Sequence, residues 1–477
     1  MTTEISSTPP NSYFSKRWQA EAGYRQILNI ALPLIFGSAF MAIQQFINRI
    51  FLAWYSAEAV AASMPAGIIS FTFINLFIGT AGYSSTFVAQ YFGAERNHRI
   101  GPVIWQGLYI SVFAGVFMAA MIPLATPFFR LVGHAPEIQQ LEVEYFRIIC
   151  IAAFPNVAIA VLTGFFTGRG ITKPILVVGT CGNLLSVFLN YTLVFGNFGF
   201  PELGVRGAAT ATVISSFFVF SIFWIMILPA SYDRQFRILS GWIFDLALLK
   251  RLLRYGLPNG LQYFINFIGF SVFLLFIGRL GTIPLAATNI TFNINMLAFM
   301  PMMGFSMAIM IKVGQYQGKN RSDLASYSVY SGFHLTSIYM IIIAACYFLI
   351  PRVFLWPFAV KADPASFDTI MDLCVVLLRF VTVYSLFDTL STVFSAGVKA
   401  AGDTKFVMIM GSTLAVALLA IPSYVALVVF EMGLYTGWSI VTVYISANGI
   451  AYLIRFLTGK WKTMQVIEVQ LDDEKGD

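Results

Sequence analysis

Apolar residues run through this chain in about twelve stretches of membrane-spanning length, separated by short polar or basic turns. They lie at approximately 27–53, 60–89, 102–126, 145–167, 174–196, 208–230, 256–278, 284–311, 328–350, 373–397, 406–429 and 436–454. A helix needs about 20 apolar residues to cross the hydrocarbon core of a bilayer. The pattern therefore predicts an all-α integral membrane protein with about twelve transmembrane helices. The first run, Ile27 to Tyr55, is too long for a signal peptide and is read as a retained span.

The apolar pattern repeats. Ala31-Leu32-Pro33 answers Gly256-Leu257-Pro258, and Val88–Gly93 (VAQYFG) answers Val313–Gly318 (VGQYQG), both at an offset of 225 residues. Gly168–Lys173 answers Ala400–Lys405 at offset 232, and Gly207 and Thr212 answer Gly437 and Thr442 at offset 230. A duplicated six-helix unit with small loop changes gives such a drift. Six is even, so both copies share one orientation and are related by an axis along the membrane normal, with the substrate path between them. The predicted organisation is a cytoplasmic tail 1–26, a six-helix lobe 27–230, a cytoplasmic linker 231–255, a second six-helix lobe 256–458 and a cytoplasmic tail 459–477. An interfacial helix is expected from Trp242 to Leu253.

Charge fixes the expected orientation. Twenty-one Lys and Arg fall on the side of the two termini, against five on the other: Arg130, Arg206, Arg279, Arg352 and Lys361. By the positive-inside bias both termini are cytoplasmic. With 58% hydrophobic and 11% charged residues, against about 25% charged in soluble domains, the net charge of +7 reflects these loops and not a nucleic-acid surface. Cys150, Cys181, Cys346 and Cys374 stand in apolar sequence without paired spacing, and His98, His134 and His334 are scattered. No disulfide framework, metal site or clustered catalytic machinery is predicted. No phosphate-binding Gly-x-x-x-x-Gly-Lys-Ser/Thr loop is encoded, which excludes a nucleotide-driven pump in this chain.

One charge breaks the apolar pattern. Asp388 sits near the middle of the tenth run, where a carboxylate is costly and faces a protein interior or a wet cavity. Residues three or four apart share a helix face, which joins Asp388 with Tyr384, Ser391 and Thr392. The same spacing joins Asn266 with Gln262 and Tyr263, and Asn48 with Gln44 and Gln45. These polar faces are expected to meet in one wet cavity. In the repeat register Asn156 is the counterpart of Asp388, so the lobes are chemically unequal. Arg147 and Arg379 are paired in the same register and are read as structural. The Met-rich stretch Met296–Met310 reads as packing or as an adaptable substrate wall.

On the Val88–Gly93 turn, the stretch Leu189–Gly196 with Phe200–Thr212, and the Gly402-Asp403-Thr404 turn, the chain resembles the multidrug and toxic compound extrusion (MATE) family, most closely its NorM-like bacterial branch. The likeness covers about residues 25–460. It implies a V-shaped bundle of two six-helix lobes that opens inward or outward. It also implies a multi-pass protein of the bacterial inner membrane that exports organic compounds by proton or sodium antiport. No cofactor is implied beyond that coupling ion, H+ or Na+. The expected partners are a small-molecule substrate and membrane lipid, with no nucleic acid, and the expected state is a monomer. The resemblance places Asp388, Tyr384 and Asn190 at family site positions. It also shows departures: Asn48, Val194 and Asn266 stand where many members carry acids. A flippase for a lipid-linked saccharide, from the same superfamily, is the alternative.

Overall fold

The computed structural model describes residues 13–359 and 364–468. The predicted tail segments 1–12 and 469–477, and Lys361 of the outer loops, lie outside the described residues. Twelve helices among the described residues are long and apolar enough to span a membrane. They are α1 (Tyr24–Tyr55), α2 (Glu58–Gly93), α3 (Asn97–Met121), α4 (Pro136–Gly168), α5 (Lys173–Phe195), α6 (Gly204–Ile227), α7 (Leu246–Gly278), α8 (Thr282–Gly318), α9 (Ser322–Leu349), α10 (Thr369–Ala401), α11 (Thr404–Val429) and α12 (Leu434–Leu457).

Two boundaries differ from the apolar pattern for the same reason. Helix α4 begins at Pro136, before the predicted 145, because Glu137, Glu142 and Glu144 interrupt hydropathy without interrupting the helix. Helix α7 begins at Leu246, inside the stretch expected to be linker and interfacial helix. The Asp245 carboxylate accepts from the Leu248 amide at 2.9 Å and caps the new N-terminus. Lys250, Arg251 and Arg254 hid that first turn. Trp242, Ile243 and Phe244 remain strongly exposed just before it.

The packing repeats as the sequence does. In the first lobe α1 packs on α5, α2 and α3 on α4, and α4 on α6; in the second α7 packs on α11, α8 and α9 on α10, and α10 on α12. The lobes meet through α1 against α8 and α2 against α7 and α8. Small residues permit the close approach: Gly79 lies on Gly260, and Gly304 on Ile35. These are again counterparts at the 225-residue offset.

The repeated turns explain themselves in this arrangement, because each binds the other half. The Gln90 side-chain amide donates to the Ala400 carbonyl at 2.8 Å. Its counterpart Gln315 donates to the Gly168 carbonyl, the counterpart of Ala400, at 2.9 Å. Between them, Gly93 presses on the Gln315 backbone and Gly318 on the Gln90 backbone. The lobes are thus fastened at the end where α2 and α8 finish.

A strap crosses this fastened end. Gly459 turns the chain out of α12 in the left-handed region, φ 69°, and Trp461 is fully buried against Phe456. Gln317 of α8 donates to the Trp461 and Met464 carbonyls at 2.9 and 3.0 Å. The Val466 amide then donates to Gln90 Oε1 at 2.8 Å. Finally Glu468 accepts from Tyr91 at 2.6 Å and from Arg99 at 2.8 Å, and it pairs with Arg251. The segment after the second lobe therefore places Glu468 among basic residues of α3 and the start of α7.

Burial would raise the Glu468 carboxyl, but the hydrogen bonds from Tyr91, Arg251 and Arg99 together hold it at about 2. A depressed carboxyl contributes stability above its unfolded value of about 4.3 and loses it as pH falls toward the folded value. Glu468→Gln is expected to cost about 2 kcal/mol, equally at pH 6 and pH 8. The difference from wild type should shrink only as pH falls from about 4 toward 2. Thermal unfolding in detergent at these pH values checks it; a difference that already closes between pH 8 and pH 6 would contradict it.

Candidate functional site

The second lobe holds a cavity of about 200 Å³ lined by α7, α8, α10 and α12. Its chemistry follows from helical spacing. Helix α10 supplies Asp388, Ser391, Thr392, Ser395 and Lys399, a polar stripe at steps of three and four. Helix α12 supplies Tyr444, Asn448 and Tyr452, each one turn beyond the last, and α7 supplies Gln262, Tyr263 and Asn266. Met303 and Phe299 of α8 close the apolar side.

Helix α11 makes room for this polar floor. A Cβ at Gly411 would lie 2.7 Å from the Tyr452 hydroxyl and within 4 Å of Gln262 Nε2 and Asn448 Oδ1. Three polar groups thus converge where a side chain is missing. The Tyr452 hydroxyl donates to the Val407 carbonyl at 3.2 Å, and Asn448 donates to the Tyr444 carbonyl at 3.1 Å, which fixes both.

Asp388 differs from its surroundings. Among the described residues, none donates a hydrogen bond to its carboxylate and no basic group pairs with it within 4 Å. The carboxylate faces the cavity. Its counterpart Asn156 is fully engaged. Asn156 Nδ2 donates to the Ala152 carbonyl at 2.8 Å, and Oδ1 accepts from Ser216 at 3.3 Å. That amide sits at the bend of α4, where Pro155 lacks an N–H for the helix ladder. The first lobe's counterpart of the acid position is thus a structural clasp.

The structure brings Asp388, Gln262 and Asn266 together as the sequence suggested. It does not line this cavity with Gln44, Asn48, Asn156 or Asn190, so the expected single shared cavity is replaced by two polar clusters, one per lobe. In the first lobe, Gln44 donates to Ser186 Oγ at 2.8 Å and Asn190 donates to the Ser186 carbonyl at 2.9 Å. The side-chain oxygens of Asn48 and Asn190 are buried without a protein partner. These α1 and α5 faces meet because α1 packs on α5, whereas the second-lobe acid lies on α10. Tyr384, one turn before Asp388, is buried in the second-lobe core and does not line the cavity.

Sequence reading missed Lys399, Asn448, Tyr444 and Tyr452. The tenth apolar run, 373–397, stops just short of Lys399. The residue is 7% exposed, and its ammonium lies 5.5 Å from the centre of the Tyr263 ring. The signal was present: 388, 391 or 392, 395 and 399 follow one face of a helix.

Comparison with known proteins agrees with this architecture. The MatE family profile matches residues 33–192 and 258–425, once in each lobe. A probable multidrug resistance protein NorM from Thermotoga maritima is 24% identical over 460 residues, covering 95% of this chain and 96% of the relative. Multidrug resistance protein PmpM from Pseudomonas aeruginosa is 27% identical over 401 residues, covering 83% of this chain and 82% of the relative. A solved structure described as the outward-facing conformation of a multidrug resistance MATE family transporter of the MOP superfamily superposes with a TM-score of 0.83. It is 19% identical and covers 94% of this chain and 98% of that one. A MOP superfamily transporter from Pyrococcus furiosus, described by a binding pocket of reverse polarity, superposes with a TM-score of 0.82 at 20% identity, covering 94% and 98%. With the family profile matching both halves of a twelve-span, two-lobed bundle, this chain belongs to the MatE family and is a membrane transporter, not an enzyme.

Proposed function

We propose that this protein exports organic compounds, cationic or amphipathic, across the bacterial inner membrane in exchange for protons or sodium ions. The observation that carries this reading is the Asp388 carboxylate, facing a polar cavity with no donor or counter-ion among the described residues. A buried charge of that kind takes a partner. A proton, a sodium ion and a cationic substrate compete for it, and that competition is what antiport requires. The relatives' description as multidrug resistance proteins supports organic substrates.

In the proposed cycle, Asp388 holds the cationic substrate until a coupling ion displaces it. Gln262 and Asn266 line the same chamber, and the first lobe holds a second polar cluster of Gln44, Asn48 and Asn190 between α1 and α5. The lobes, 27–230 and 256–458, then rock about their shared interface. The fastened end faces the cytoplasm in this reading, since it carries the basic loops.

The test is uptake of a fluorescent organic cation into proteoliposomes under an imposed pH or sodium gradient. Accumulation above equilibrium, abolished by the ionophore that dissipates one of the two gradients, is expected and names the coupling ion. Equilibration without accumulation under both gradients would contradict antiport.

A further inference from the structure

Lys399 does not fit a cavity built solely for cations. Its backbone is structural, because its carbonyl accepts from the Tyr83 hydroxyl of the other lobe. Its side chain is otherwise engaged. The ammonium lines the cavity and rests near the Tyr263 ring. Among the described residues no carboxylate pairs with it. A buried charge without a partner is costly, and such groups are ordinarily paired. An ammonium and a carboxylate in one chamber, neither paired, would neutralise each other if they could touch.

Geometry prevents that. Eleven residues separate Asp388 from Lys399, close to three full turns, so both project from one face of α10 with about 16 Å between their Cα atoms. The Lys side chain leans back along the helix toward Asp388, which leaves a charge separation on the order of 10 Å. Ser391, Thr392 and Ser395 fill the interval with hydroxyls. The cavity is thus bipolar: negative at Asp388, positive at Lys399, with a hydroxyl-lined wall on one side and Phe299 and Met303 on the other.

We propose that Lys399 forms an anion-binding end of this cavity, and that the cavity takes an elongated zwitterion with an amine and an acidic group about 10 Å apart. This rests on reading the cavity as the transport site. The amine lies at Asp388 and the carboxylate at Lys399. The apolar body lies against Met303, whose flexible thioether adapts to different shapes.

The experiment is isothermal titration calorimetry on the full chain in nanodiscs, with 8-aminooctanoate and its methyl ester as probes. The ester keeps the amine and removes the negative charge. Wild type should bind the zwitterion at least about tenfold more tightly than the ester, a difference of about 1.4 kcal/mol. Lys399→Gln should bring that ratio to about one, and Lys399→Arg should retain most of it, which separates the charge from the fold. Asp388→Asn should weaken both probes together. A wild-type ratio near one, or a ratio that Lys399→Gln leaves unchanged, overturns the anion-binding end. Loss of ester binding in Asp388→Asn would still leave the transport-site reading standing in that case. If Asp388→Asn leaves the ester untouched while Lys399→Gln removes the preference, the transport-site reading falls and the anion site remains.

Discussion

Asp388→Asn is expected to abolish uphill transport while leaving the protein folded and a slow downhill leak in place. The substitution preserves shape and polarity and removes one charge. Among the described residues nothing pairs with that charge, so no counter-ion is stranded and the fold has little to lose. What is lost is the exchange between ion and substrate. A coupling free energy between two ligands is typically about 1–3 kcal/mol, a 5- to 150-fold change in affinity, and it falls to zero when the shared charge is gone. In proteoliposomes the accumulation ratio of an organic cation should drop to one under either gradient. Fluorescence-detected elution and thermal unfolding should match wild type. Retained accumulation would contradict the assignment and shift attention to the first-lobe cluster of Gln44, Asn48 and Asn190. That cluster also holds buried unpartnered oxygens.

Much of this architecture is legible in the sequence because the bilayer imposes it. Apolar length sets the twelve spans, and the repeated Gln-Tyr-x-Gly turns reveal the duplication before any contact is known. Asp388 is conspicuous because one charge in such a run is expensive. The failures share a cause. Charged residues mark the end of hydropathy, not the end of a helix, so Lys250 and Arg251 hid the first turn of α7. Lys399 likewise falls just beyond the tenth apolar run although it lines the cavity. Amides are the harder case. Asn156 and Asn266 look alike in sequence, yet Asn156 clasps the bend of α4 and Asn266 faces the cavity. Which one is structural depends on the Pro155 break and on Ser216 of α6, neither of which a periodicity argument weighs.

The paired turns also gave no hint in the sequence that they bind each other rather than a ligand, and this leads to the second large effect. Gly318→Ala is expected to destabilise the fastened end by about 3 kcal/mol or more. Helix propensity alone points the other way, since Ala is favoured over Gly by up to about 1 kcal/mol. A Cβ on Gly318 would overlap the Gln90 carbonyl, and one on Gly93 would overlap the Gln315 carbonyl. Both obstacles are backbone and cannot rotate away. The lobes must separate, which also breaks the Gln90–Ala400 and Gln315–Gly168 bonds. A shift of 3 kcal/mol changes the balance of two states by more than 100-fold, enough to open this end for much of the time. Hydrogen exchange should accelerate in peptides spanning 88–96 and 313–321, and Gly93→Ala should reproduce the effect by symmetry. Gly37→Ala is the control: nothing lies within 4 Å of its Cβ, so propensity should prevail and exchange should stay slow. If Gly318→Ala behaves like Gly37→Ala, the two turns are ornaments of the repeat and the lobes are held together elsewhere.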